Sequence, residues 1–375
     1  MELEPHLVAK LKDSSLDPTQ RVVEAIMRVG PRNAALISRL TGVPTETVRY
    51  KIKRQLKELG FRIHAEVDYE KLGLTLHWAN LDFTAKYDDL AAKILTALHE
   101  IGYLIYYGRI IPQGHYVALF ALPRSSGEKY HDFLKHLVDL GIIRWYSLEE
   151  VTFSRHLSMN PRHFNFDSGE WEVDWSKVDL EKPPLEERVF QEEAPLDKTD
   201  LLLIEELQIN ALQHIVAIAK KVKIHPKTLR YHYHAHLEKH GLIARYVVRW
   251  MKDIEKTLSH SVMLTRLTIQ GLNGTELLRT RAAVNKIPFL WAEELLKNGT
   301  YIATLCIPVE QAVSAFDYLH TKVLGSGRKI DIGYIKPWDA CLFTVPSQMF
   351  KEGWAFDADV LKSRFINLAR ALEGQ

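Results

Sequence analysis

Three histidines in the run Tyr231-His232-Tyr233-His234-Ala235-His236 and beyond, His232, His236 and His240, fall at i, i+4 and i+8. That spacing places three imidazoles on one helical face, where they could chelate a cation. No cysteine lies near and Glu238 is the one obvious carboxylate in the run, so the reading assigns no metal. A second group is plainer in its chemistry. With Val48, Ile52 and Leu56 as the buried stripe of a helix, the opposite face carries Thr45, Glu46, Arg49, Tyr50, Lys53, Arg54 and Lys57. Such a cationic, hydrogen-bonding face meets phosphates and base edges. The corresponding face about 180 residues later is Lys227, Arg230, Tyr231 and His234, with the charge diluted because Lys53 and Arg54 are replaced by His234 and Ala235. No nucleophile, phosphate loop or catalytic constellation stands out, and Leu324-Gly325-Ser326-Gly327 reads as a turn before a strand. The residues therefore predict a binding protein, not an enzyme, with no cofactor.

The elements that position these faces occur twice. Leu16-Asp17-Pro18-Thr19 returns as Leu196-Asp197-Lys198-Thr199, Thr47-Val48-Arg49-Tyr50 as Thr228-Leu229-Arg230-Tyr231, and Gly114-His115-Tyr116 as Gly299-Thr300-Tyr301. A repeat of that length is a whole two-part module. Asp17 with Pro18 and Gln20 starts a helix over 18–29 that Gly30-Pro31 stops. A short helix over 34–40, a turn and a third helix over 44–59 follow, then an alternating strand from Phe61 to Val67 that reads as a wing. Past Gly73 the pattern is β-α-β-β-α-β in both copies. Predicted is an α+β fold, a tandem repeat of winged helix-turn-helix plus ferredoxin-like βαββαβ sandwich domain, a pseudo-dimer in one chain.

The predicted boundaries are a leader over 1–16, winged helix-turn-helix units over 17–72 and 197–256, ferredoxin-like domains over 73–158 and 257–347, a linker over 159–196 and a C-terminal helix over 348–375. The linker's two Trp and three Phe imply that its first half packs on the first sandwich.

Charge is segregated. Residues 17–62 hold ten Lys/Arg against four Asp/Glu, and 167–196 hold three against ten, inside a net charge of +2. Cys306 and Cys341 alone exclude a disulfide framework, and no apolar run approaches a membrane span. Composition thus predicts a cytoplasmic protein without membrane contact.

The Leu-Asp start, the helix-turn-helix with Thr47-Val48-Arg49-Tyr50, the wing and the βαββαβ domain together resemble the Lrp/AsnC (feast/famine) transcription regulators of archaea and bacteria. The resemblance implies a sequence-specific DNA-binding transcription regulator with double-stranded DNA as partner and two non-identical readers. It also implies a small-molecule effector near Gly114, Tyr116, Gly299 and Tyr301, and leaves room for further homo-oligomerisation. An alternative shares the architecture: siroheme decarboxylases of heme biosynthesis resemble these regulators and use His and Arg residues on a tetrapyrrole.

Overall fold

The computed structural model describes residues 11, 16–177, 193–251, 260–324 and 330–373. Most of the predicted leader, the Pro/Glu half of the linker and the Gly325-Ser326-Gly327 turn lie outside the described residues.

Local chemistry sets the first elements. Asp17 accepts from the Thr19 and Gln20 amides while Gln20 reaches back to the Asp17 amide, a reciprocal cap that starts α1, Pro18–Val29. Helix α2, Ala34–Thr41, ends on Gly42 in the left-handed conformation, φ 70°. Helix α3, Thr45–Tyr50, buries Val48 and runs on through a π-helical turn, Lys51–Gln55, into Leu56–Glu58. The second copy repeats this order of three helices after the first sandwich.

Strand β1, Phe61–Val67, follows the third helix, and the first sandwich then comprises β2, Leu74–Phe83; helix α4, Ala91–Ile101; β3, Leu104–Ile111; β4, Tyr116–Pro123; helix α5, Gly127–Asp139; and β5, Ile143–His156. A two-residue pair, β6 (Phe164–Asn165) and β7 (Glu170–Trp171), follows. The second half has α6, Lys198–Ile209; α7, Ile215–Val222; α8, Pro226–Tyr231, extended by a π-helical turn His232–Glu238; and β8, Ile243–Trp250. Then come β9, Val262–Ile269; α9, Gly274–Val284; β10, Leu290–Leu296; β11, Tyr301–Pro308; α10, Ala312–Leu319; β12, Ile330–Leu342; and α11, Ala358–Glu373. No helix among the described residues is long and apolar enough to cross a membrane.

The molecule is mixed α/β, built on a closed eight-stranded sheet in the order β10-β11-β9-β12-β3-β4-β2-β5. The two four-stranded sheets join edge to edge, β5 with β10 and β12 with β3, both antiparallel. Each half thereby satisfies the other's unpaired edges. Where β5 meets β10, Arg155 stands opposite Glu293 in register. The Glu293 carboxylate, wholly buried, accepts from Arg155 at 2.5 Å, Arg281 at 2.9 Å, Tyr301 at 3.0 Å and Asn285 at 3.1 Å.

The strand after each third helix differs from a free wing. β1 and β8 pair with one another, Phe61 opposite Trp250 through Val67 opposite Ile243, because each supplies the other's missing ladder partner. The linker also corrects expectation. Phe164 and Phe166 pack on Phe61 and Trp250, Trp171 meets Phe289, and Trp175 donates to Gln311, so its first half covers the β1–β8 ribbon and the second sandwich instead of the first. The helical side of the first sandwich is already occupied, by Trp354, Phe356 and Phe365 of the C-terminal segment against Tyr103, Tyr130 and Phe133.

Candidate functional site

Two cavities are positioned by this arrangement. The larger, about 2150 Å³, lies between the two helical modules. Beside it the two modules are in direct contact. Gly30, at φ 75°, ends α1 against the ring of Tyr246, whose Cε2 is 2.6 Å from where a Cβ would sit, so any side chain there would push the modules apart. Tyr246 shares a hydrogen bond of 3.0 Å with Tyr233, and Arg32, just beyond α1, lies 5.2 Å over the Tyr233 ring while donating to the Gln213 carbonyl at 2.8 Å. Burial, with the neighbouring Tyr246 adding to it, raises the Tyr233 phenol far above its ordinary pKa; burial raises that of Tyr246 too. Both stay neutral and serve as hydrogen-bonding groups.

The walls are cationic. Among the described residues, Arg28, Arg32, Arg39, Arg49, Lys53, Lys57, Arg230, Lys239 and Arg245 line the cleft, with Glu238 the one carboxylate beside them. Arg49 pairs with Glu46, and Arg245 with Glu66 at 2.8 Å. Between the charges the lining is apolar: Ile52, Phe61, Leu212, Ile215, Val216 and Ile243. Two imidazoles reach the same space, His214 and His234. His234 Nδ1 lies 2.6 Å from Glu238 Oε2, a pair that orients the ring.

The structure gathers part of the expected face and scatters the rest. Arg49, Lys53, Lys57, Arg230 and His234 line the common cleft. Thr45, Glu46, Tyr50, Arg54, Lys227 and Tyr231 do not, although Tyr50 and Tyr231 are each 60 % exposed. The two basic faces thus converge on one space, whereas readers of duplex DNA would address separate half-sites. Arg28, Arg32, Arg39, Lys239 and Arg245 were missed; for the first three the charge excess of residues 17–62 was the available signal. The i, i+4 spacing of His234 and Glu238 was another.

The smaller cavity, about 300 Å³, opens into the sheet barrel beside Trp78, His115, Trp145, Arg266 and Asp331. Arg266 lies 4.2 Å over Trp78, and burial lowers its pKa. Burial pushes the nearby Glu294 carboxyl up to about 7. Of the expected effector residues, Gly114 and Gly299 form the β-turns at φ 86° and 82°, and Tyr116 and Tyr301 are buried in the sheet. None of the four lines either cavity.

His240 stands apart from a chelating set, its ring 6.4 Å from that of His236. Instead His232 and His236 both direct Nδ1 at Asp200, on α6, at 2.8 and 2.9 Å.

Comparison with known proteins adds the fold's other carriers. No protein-family model matches the sequence, and no curated protein sequence matches it. Among solved structures, the siroheme decarboxylase NirDL superposes with a TM-score of 0.54, covering 95 % of this chain and 100 % of its own at 8 % identity. The same enzyme in complex with an iron-uroporphyrin III analogue matches with the same values. The likeness, over 95 % of this chain, is one of fold: a decarboxylase carries this architecture. This corrects the expectation of a DNA-binding transcription regulator without enzymatic activity. Charge on a helix selects anions but does not say which anion.

Proposed function

We propose that the chain is an enzyme that binds a polycarboxylated tetrapyrrole in the cleft between its helical modules and removes carboxyl groups as CO2, a siroheme-decarboxylase-like activity. The observation that carries the reading is the cleft: among the described residues, nine cationic side chains and one carboxylate line it, with apolar side chains between them. Its volume exceeds the roughly 300–1,000 Å³ of ordinary small-molecule pockets, as a macrocycle with charged arms requires. The barrel cavity is at the lower limit of that range.

Decarboxylation of a ring acetate breaks the bond between the methylene and the carboxyl carbon. CO2 leaves, the electron pair passes into the conjugated macrocycle, and a proton arriving at the methylene completes a methyl group. A cation held against the reacting carboxylate would favour the starting state and slow this step. The arginines and lysines of the rim are suited to the carboxylates that stay, and the apolar patch of Ile52, Leu212, Ile215 and Val216 to the one that leaves. There the charged form loses its water, while binding energy from the rim offsets the cost. His234, oriented by Glu238, delivers the proton from Nε2.

In this reading the three-helix units are winged helix-turn-helix modules over 17–72 and 197–256. The ferredoxin-like domains run over 73–158 and 257–347, the linker over 159–196 and the C-terminal helix over 348–375. The test is a titration of the purified chain with siroheme and with iron uroporphyrin, followed by absorbance and by mass spectrometry of the pigment. A perturbed spectrum and stepwise loss of CO2 are expected. Unaltered pigment at saturating protein, or equal binding when Lys53 and Arg230 are replaced by Ser, refutes the assignment.

A further inference from the structure

Aligning Thr47-Val48-Arg49-Tyr50 with Thr228-Leu229-Arg230-Tyr231 sets Lys51 against His232 and Gln55 against His236, while Asp17 and Gln20 match Asp197 and Asp200. In the first module the Lys51 ammonium donates to Thr19 Oγ1 at 2.7 Å and Gln55 Oε1 at 2.9 Å. A covalently attached cation thus ties the first helix to the third. The second module has lost that cation and gained a carboxylate at the same place. Asp200 is wholly buried, and the two imidazoles that replace Lys51 and Gln55 converge on its two oxygens. Asp197 Oδ1 lies 3.7 Å from His232 Nδ1.

One nitrogen or oxygen from each of Asp197, Asp200, His232 and His236 lies within 4.8 Å of the others. Four such donors around a tetrahedral ion, with bonds of about 2.0–2.2 Å, stand roughly 3.3–3.5 Å apart. The present separations run from 2.8 Å to at most 4.8 Å, so reaching that geometry takes side-chain movements of about an ångström, with Asp200 opening from the two imidazoles and the wider pairs closing. We propose that these four residues bind one divalent transition-metal ion, with zinc the best match to two imidazoles and two carboxylates, in the position that Lys51 occupies in the first module. Four protein donors leave no open coordination place, so the ion is structural and pins α6 to α8. Asp197, half exposed, is the side from which the ion enters. None of the four residues lines the cleft, so this inference stands apart from the enzymatic one.

The test uses the full chain after chelator treatment and dialysis. Zinc titration by calorimetry should show one tight site per chain, cobalt should give visible absorption of a low-symmetry nitrogen/oxygen site, and zinc should raise the thermal midpoint. The triple variant Asp200→Gln, His232→Lys, His236→Gln installs the first module's set and should fold, take up no metal and have a midpoint indifferent to zinc or chelator. Should that variant fail to fold, His236→Gln alone must weaken zinc binding at least about tenfold, the loss of one of four ligands. Absence of stoichiometric uptake by the wild type, or uptake undiminished in either variant, overturns the proposal.

Discussion

Replacing Glu293 by Gln keeps the side-chain shape but removes one negative charge from the seam where the two halves join. Its partners Arg155 and Arg281 are themselves 11 % and 7 % exposed at the side chain, so neither can recover its solvation by turning outward. Removing one partner of a buried ion pair costs about 3–5 kcal/mol, because the other charge is left uncompensated. Two guanidiniums share this carboxylate, so the upper part of the range applies, against a typical total of about 5–15 kcal/mol. Denaturant unfolding followed by tryptophan fluorescence reads the loss, with Trp291 placed on β10 itself. A triple variant with Met at 155, 281 and 293 should recover most of it, since an apolar set leaves no stranded charge. The pH dependence carries the same logic. Burial raises the Glu293 pKa, but the hydrogen bonds from Arg281 and the charges of Arg155 and Arg281 outweigh it and hold the carboxyl below its ordinary value. Its contribution is therefore present above the unfolded pKa and lost as pH falls through the lower folded one. A cost under about 1 kcal/mol for the Gln variant, or a variant as acid-sensitive as the wild type, would refute the reasoning.

Glu294→Gln should act in the opposite direction. With a folded pKa of about 7 against 4.5 unfolded, the native carboxyl destabilises the fold by about 3 kcal/mol above pH 7, so the variant should be more stable there and the gap should vanish below pH 4.5, as denaturant midpoints at the two pH values would show. His234→Gln should lower the decarboxylation rate at least about a hundredfold, the usual share of a general acid, with tetrapyrrole affinity unchanged. Stopped-flow release of CO2 beside an absorbance titration separates the two. Lys53→Ser with Arg230→Ser should weaken pigment binding at least about tenfold and flatten its dependence on salt, checked by titration at two ionic strengths.

The elements were legible where their signals are local. Asp17 with Gln20 marked the start of α1, and the alternation from Phe61 to Val67 marked β1. Tertiary partners were not. Nothing within β1 says that its ladder partner is β8, in the other half of the chain, because pairing is decided by which edge is left open once the helices have packed. The basic face of α3 was visible, but its sharing of one cleft with Arg230 depends on the Gly30–Tyr246 contact, which pattern reading cannot reach. Likewise the histidine run was visible as a helical face, while Asp200, 32 residues before His232, was invisible as its partner.

The edge-to-edge closure of the barrel bears on how the chain could be made in pieces. Each half leaves the edges of its β3 and β5, or of their counterparts β10 and β12, waiting for the other half, so a polypeptide ending at residue 177 would be incomplete but specifically sticky. Expressed beside a second polypeptide beginning at 193, it would find complementary edges and rebuild the eight-stranded ring without a covalent join. Expressed alone, it would meet only copies of itself, β5 against β3, and the same geometry would make a symmetric ring from two identical pieces. The molecule thereby offers a natural pair of split-reporter fragments whose reunion is read by the barrel itself.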